Sequence, residues 1–148
     1  MMMLGKHSPT IDSQCRISFP AKFRSELGEE FLIVRRLDAP ALRFYSFEAW
    51  DKYLNAFHGK MTAGEYSDME FRYYSNSTEA APDSLGRVRI PKELWESINI
   101  DFSSEEGKKI VVIGYRTYGE IWRVSEHEKY LNSIDNSAID SKIKDAIF

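Results

Sequence analysis

Asp12-Ser13-Gln14-Cys15-Arg16-Ile17-Ser18-Phe19-Pro20-Ala21-Lys22-Phe23-Arg24 is followed, at an offset of 71 (83 − 12), by Asp83-Ser84-Leu85-Gly86-Arg87-Val88-Arg89-Ile90-Pro91-Lys92-Glu93-Leu94-Trp95. Asp, Ser, Arg and Pro are identical at matched positions, and apolar residues match at Ile17/Val88, Phe19/Ile90 and Phe23/Leu94. A shared frame of this length reads as two copies of one small unit.

Asp-Ser followed by a short polar or glycine-containing step predicts a turn. Arg then opens a run with apolar residues at every second position, the period of a strand with one buried face. Arg16 and Ser18 therefore share the opposite face of the first strand, and Arg87 and Arg89 that of the second. Proline cannot donate to a ladder but suits the start of a helix. After Pro20, the spacing of Phe23 and Leu27 with the stop at Gly28 predicts a helix over 20–27. After Pro91, Leu94, Trp95 and Ile98 predict a second short helix.

Further pairs continue the repeat. Phe31-Leu32-Ile33-Val34 and Ile110-Val111-Val112-Ile113 are apolar runs of strand length. Phe44-Tyr45-Ser46 precedes Trp50 to Tyr53, as Ile121-Trp122-Arg123 precedes His127 to Tyr130, now at an offset of 77 (130 − 53). The added length falls in the Ser-, Glu- and Gly-rich loop over 101–107. Other strands are predicted over 6–11, at an edge because of Pro9, over 42–46 and over 78–81. A helix over 47–57 has Ser46 as N-cap. Thr62 and Glu65 form a capping box for a helix over 63–74 that joins the copies. In the tail, Ile139, Ile143, Ala146 and Ile147 share one face of an amphipathic helix that docks on the body or a neighbour, or else frays.

Composition bounds the function. The 148 residues carry 43% hydrophobic and 14% aromatic side chains, enough for a core, and a net charge of −3. The chain is thus not a generally basic nucleic-acid binder, and any polyanion site must be a local patch. One cysteine rules out an intrachain disulfide and suits a reducing compartment. No apolar run is long enough for a membrane span, and Met1 to Lys6 lacks the apolar centre of a signal peptide, so a cytoplasmic protein is expected. His7, His58 and His127 are scattered, so no metal is predicted. No paired carboxylates, activated nucleophile or phosphate-binding glycine loop stands out, so neither a catalytic site, a cofactor nor a small-molecule substrate is predicted, and the chain is read as a non-enzyme.

Arg16 has two readings: a phosphate or base contact, or an internal pair with Asp12 across the turn. Lys22 and Arg24 stand on the same strand–helix corner as Arg16. Arg87, Arg89 and Lys92 form a similar corner, diluted by Asp83 and Glu93 and expected to be the more structural of the two. Arg35-Arg36 reads as a solvated strand end rather than an extension of the patch. Cys15 reads as a plain turn cysteine rather than a redox thiol.

The duplicated frame resembles the MraZ family, whose first motif runs close to D-A-K-G-R-h-x-h-P-A-x-h-R (h, apolar) and whose second runs close to D-x-x-G-R-h-x-I-P. Val111-Val112-Ile113-Gly114 followed by Glu120-Ile121-Trp122 is similar to a further family segment, and the likeness covers about 5–130. The resemblance implies an α+β fold of two AbrB-like repeats, residues 6–53 and 77–130, packed as a swapped-hairpin pseudo-dimer barrel. A helical connector spans 54–76 and a tail 131–148, with extra helices at the periphery. It further implies a DNA-binding transcriptional regulator, cytoplasmic and nucleoid-associated, assembled into homo-oligomeric rings. Such proteins bind short direct repeats upstream of a division and cell-wall gene cluster. The DNA-binding residues expected on this reading are Arg16, Lys22, Arg24, Arg87 and Arg89. One departure stands out: the family's Lys-Gly is Gln14-Cys15 here, which removes a charge beside Arg16 and puts a side chain where a positive φ costs on the order of 1 kcal/mol.

The competing reading is a ring-forming protein scaffold with weak, sequence-blind DNA binding. An antitoxin of the same architecture ranks third, because antitoxins carry one copy of the fold and a disordered tail.

Overall fold

The computed structural model describes residues 2–147; Met1 and Phe148, the ends of the leader and tail readings above, lie outside them. In chain order the elements are β1 (Met3–His7), β2 (Arg16–Ser18), α1 (Ala21–Leu27), β3 (Phe31–Arg35), β4 (Ala41–Tyr45), α2 (Phe47–Asn55), α3 (Ala63–Tyr74), β5 (Ser77–Ala80), β6 (Arg87–Arg89), α4 (Lys92–Ser97), β7 (Ile110–Arg116), β8 (Tyr118–Arg123), α5 (Val124–Ser133) and α6 (Asn136–Ile147). A single 3-10 turn, Glu106–Lys108, lies in the loop before β7.

The class is α+β, as expected, but the sheet is not a closed barrel. Six antiparallel strands run in the order β1-β7-β8-β4-β3-β5, leaving β1 and β5 as open edges. β2 and β6 form a separate two-stranded ribbon. Each ribbon strand is followed within two residues by proline, which has no N–H to continue a ladder, so the ribbon cannot extend to close the sheet. Pro20 and Pro91 act as N-caps, with φ near −55° and −52° and extended ψ, so each short helix begins just after its proline. β1 lies earlier than predicted, ending at His7 ahead of Pro9.

The pairing crosses between the two motifs. β1, before the first motif, pairs with β7, after the second, with Lys6 opposite Ile113. β5, before the second motif, pairs with β3, after the first, with Ile33 opposite Thr78. In the ribbon Ile17 faces Val88, the matched apolar residue of the other motif.

Both sheet faces are covered, which accounts for the unbroken apolar runs in β3 and β7. On one face Phe31, Ile33, Leu42, Phe44, Val112 and Ile121 meet Ile17, Phe23, Val88 and Trp95 from the ribbon and its short helices. On the other face Leu32, Val34 and Tyr45 lie under Trp50 and Leu54 of α2 and Met69 and Tyr73 of α3. Beside them Val111, Ile113 and Trp122 lie under Tyr130 of α5. Between these outer clusters Glu120 is buried, its Oε2 2.6 Å from Arg43 Nε and 3.3 Å from Arg36 Nη1, its Oε1 accepting from Trp122 Nε1 at 2.9 Å. α3 has the predicted bounds, and both halves of the Thr62–Glu65 capping box are formed. α6 is helical but has no buried residue, so among the described residues it docks on nothing. No helix among the described residues is long and apolar enough to cross a membrane.

Candidate nucleic-acid interface

The two Asp-Ser turns fold alike. In the first, Asp12 Oδ1 accepts the backbone N–H of Gln14 and of Arg16, both at 2.9 Å. In the second, Asp83 Oδ1 accepts those of Leu85 at 3.0 Å and Arg87 at 2.9 Å. The fourth residue of each takes a left-handed conformation, φ 62° at Cys15 and 79° at Gly86. The Gln14-Cys15 departure therefore leaves the turn shape intact, with the strain carried by Cys15 and its side chain packed against the core. The Cys15 carbonyl accepts from Ile90 N at 3.1 Å and Trp95 Nε1 at 3.2 Å, which ties the first turn to the second motif.

The carboxylates then orient the arginines. Asp12 Oδ2 lies 2.7 Å from Arg16 Nε, and Asp83 Oδ2 lies 2.9 Å from Arg87 Nε. Backbone N–H donation, from Arg16 and Arg87 first of all, holds both carboxyls below their usual pKa, with the guanidinium bonds adding to it. The internal pair read as the alternative role for Arg16 thus forms. It engages Nε, while the terminal Nη1 stands 3.9 Å from Asp83. An arginine held by Nε keeps its outer fork for another acceptor.

Ribbon pairing places Arg16 opposite Arg89 and Ser18 opposite Arg87. Ile17 and Val88, 1% and 0% exposed, anchor the inner face, so Arg16, Ser18, Arg87 and Arg89 occupy the outer one. Arg16, Arg87 and Arg89, read from the sequence as parts of two corners, share this one ribbon face. The two other candidates stand apart. Lys22 is exposed on α1. Arg24 is half-buried, its Nε donating to the Phe19 carbonyl at 3.1 Å, and its guanidinium lies over Gly86, where a Cβ would come within 2.7 Å of Cζ. Arg24 therefore clamps the second turn. Lys92 sits with Nζ 5.7 Å from the Phe102 ring centroid.

Arg35 and Arg36 are not the solvated strand end expected. Arg35 donates to the Ser97 and Ala39 carbonyls, and Arg36 bonds Asp38, Glu120 and Tyr130. Reading by motif also misses Gln14, whose Oε1 accepts from Arg89 Nη2 at 2.9 Å, and Leu85 at the tip of the second turn, 70% exposed. Period two places Ser18 and Arg89 on the outer face, but which residues meet across the ribbon depends on pairing between distant copies of the motif.

A family model described as "MraZ protein, putative antitoxin-like" matches residues 2–68 and 73–146. A protein of Alkaliphilus oremlandii named transcriptional regulator MraZ is 36% identical over 140 residues, 94% of this chain and 92% of that one. Others of that name are 34% identical in a Thermoanaerobacter species, over 92% of this chain and 91% of that one, and 31% identical in Cutibacterium acnes, over 94% of each. With the duplicated Asp-to-Pro frame, the paired turns and a family match along nearly the whole chain, this protein belongs to the MraZ family.

Proposed function

We propose that this chain is a DNA-binding transcriptional regulator whose β2–β6 ribbon reads duplex DNA from the major groove. The observation that carries the reading is one solvent-facing ribbon surface bearing Arg16, Arg87 and Arg89 over a buried Ile17–Val88 anchor. A three-residue antiparallel ribbon is about 10 Å long, and a B-form major groove is about 12 Å wide and admits such a ribbon. Arg16 and Arg87, each braced at Nε by its own aspartate, present forks of the kind that bond guanine O6 and N7. Lys22 serves as a phosphate contact, and Arg24 acts by holding the second turn.

Three arginines against Asp12 and Asp83 leave a net of +1 on the ribbon (3 − 2), so a single protomer binds weakly. Useful affinity comes from several protomers on an array, which raises apparent affinity by about 10²–10⁴-fold. The partner is therefore a set of short direct repeats, and the promoter of the division and cell-wall gene cluster is the proposed target. The protomer is a swapped-hairpin pseudo-dimer of repeats 6–53 and 77–130, joined by the connector 54–76 and followed by the tail 131–148. The crossed pairings of β1 with β7 and of β5 with β3 support that arrangement. Protomers form a homo-oligomeric ring in the cytoplasm, associated with the nucleoid.

The test is fluorescence anisotropy on DNA from upstream of the protein's own gene, at several salt concentrations, beside Arg16→Ala and scrambled DNA. Neutralising six phosphates gives a log–log salt slope of about −5. Steep binding lost in Arg16→Ala and on scrambled DNA is the expected result. Weak binding that is the same for every combination supports the scaffold reading, for which the uncovered apolar stripe of α6 is the specific observation.

A further inference from the structure

The ribbon is nearly two-fold symmetric about the Ile17–Val88 pair, and beside the inward differences at Cys15/Gly86 and Phe19/Ile90 the symmetry fails at two outward positions. Arg16 and Arg87 correspond, each with its aspartate. Gln14 corresponds to Leu85, and Arg89 to Ser18, at the same offset of 71 (85 − 14 and 89 − 18). At one end Gln14 Oε1 accepts from Arg89 Nη2 across the strands at 2.9 Å. The other end offers an exposed leucine and a short hydroxyl in the corresponding places. Leu85, 70% exposed, belongs to none of the apolar clusters of the fold, and base edges in the major groove present one apolar group, the thymine methyl.

We propose, building on the DNA-binding reading above, that the ribbon reads DNA with a built-in direction: a guanine under Arg89, positioned by Gln14, and a thymine methyl against Leu85. Gln14 restrains the Arg89 side chain from the neighbouring strand, so part of the ordering cost of binding is met before the DNA arrives. The central arginines, being equivalent, do not distinguish the two orientations of a site; Gln14, Arg89 and Leu85 do. A recognised core is then asymmetric, and each protomer sits on it one way round.

The experiment is selection of binding sites from a random duplex library with the full-length protein, followed by anisotropy on the recovered core. The wild type is expected to recover an asymmetric core with guanine at one end and thymine at the other. Replacing that thymine by uracil should weaken wild-type binding about fourfold, the value of burying one methyl-sized group, and leave Leu85→Ala unchanged. Gln14→Ala should relax the choice of base at the guanine end alone. Ser18→Arg with Leu85→Gln installs a second Gln–Arg pair and should shift the recovered core to one equal to its own reverse complement. A wild-type core that is already its own reverse complement overturns the proposal, as does uracil bound like thymine, and in either case sequence-specific DNA binding stands. Recovery of no sequence by any form removes the DNA-binding reading itself.

Discussion

Arg43 and Glu120 face each other across β4 and β8, with Nε 2.6 Å from Oε2. Their separation along the chain, 77 (120 − 43), is the offset that relates the later parts of the two motif-bearing segments. On the two-repeat reading they are the same position, filled once by a cation and once by an anion, at the centre of the sheet. An arginine in both copies would set two like charges together in a dry layer. Glu120 is nearly inaccessible and also serves Arg36 and Trp122. Removing one member of a buried pair costs about 3–5 kcal/mol, whereas replacing both with apolar groups is often neutral. Glu120→Ala should therefore lose about 3 kcal/mol or more in urea denaturation, with Arg43→Leu/Glu120→Leu recovering only the part that comes from the stranded Arg43, since Arg36 and Trp122 still lose their acceptor.

A second expectation concerns acid. Donation from the Arg16 and Arg87 backbones lowers the Asp12 and Asp83 carboxyl pKa values, and hydroxyl and backbone donors do the same at Asp101 and Asp135. A carboxyl lowered in the folded state contributes stability that is present above the unfolded value of about 3.9. That contribution fades as pH falls below it through the folded value. Urea midpoints of the wild type should drop through this range, and Asp12→Asn/Asp83→Asn should show a shallower drop.

Gly86 offers a sharper test of the second turn. Its φ of 79° strains any side chain, and a Cβ there collides with the Arg24 guanidinium. Gly86→Ala should cost about 1–2 kcal/mol from the left-handed conformation, plus the displacement of Arg24. Combining it with Arg24→Ala removes the collision, so the two changes should be measurably non-additive in a double-mutant cycle.

The uncovered stripe of α6 leads to a prediction about assembly. Ile139, Ile143 and Ile147 are exposed, and the helix buries nothing against the body. Ending the chain after Ile134 should leave the melting temperature within about 2 °C, the scale of a sub-kcal/mol change. On the oligomer reading, light scattering should then show a smaller assembly. An unchanged mass would place the subunit contacts elsewhere.

What can be read from the chain divides by the distance over which the cause acts. The Thr62–Glu65 box, the Ser46 cap and the Asp turns rest on contacts within a few residues, and those elements stand where the residue types put them. Period two separates Ile17 from Arg16 and Ser18, as the ribbon does. The first strand falls earlier than its expected place because β1 is an edge with mostly exposed side chains, and so leaves little periodicity to read. Arg36 reads as a solvated end because, beside the neighbouring Asp38, the partners that draw it inward, Glu120 and Tyr130, lie in the last strand of the sheet to be made and the helix after it. The contact of Arg24 with Gly86 leaves no mark in the sequence because that turn belongs to the other copy of the motif. The merging of two expected corners into one ribbon has the same origin: no local signal says that a strand's partner is its own repeat.

The crossed pairing also bears on how the chain is made. β1 is synthesised first, yet the partner of Lys6 is Ile113, in the next-to-last strand. At about 5–20 residues per second on the ribosome, the wait is about 5–20 s. For the first part of it the β3–β4 hairpin holds Phe31, Ile33 and Phe44 before Val88 and Trp95 have been made, and Ile121 follows only after Ile113. A nascent chain of this design cannot finish its first half alone, and its passage past chaperones and sister chains is governed by translation speed across the second.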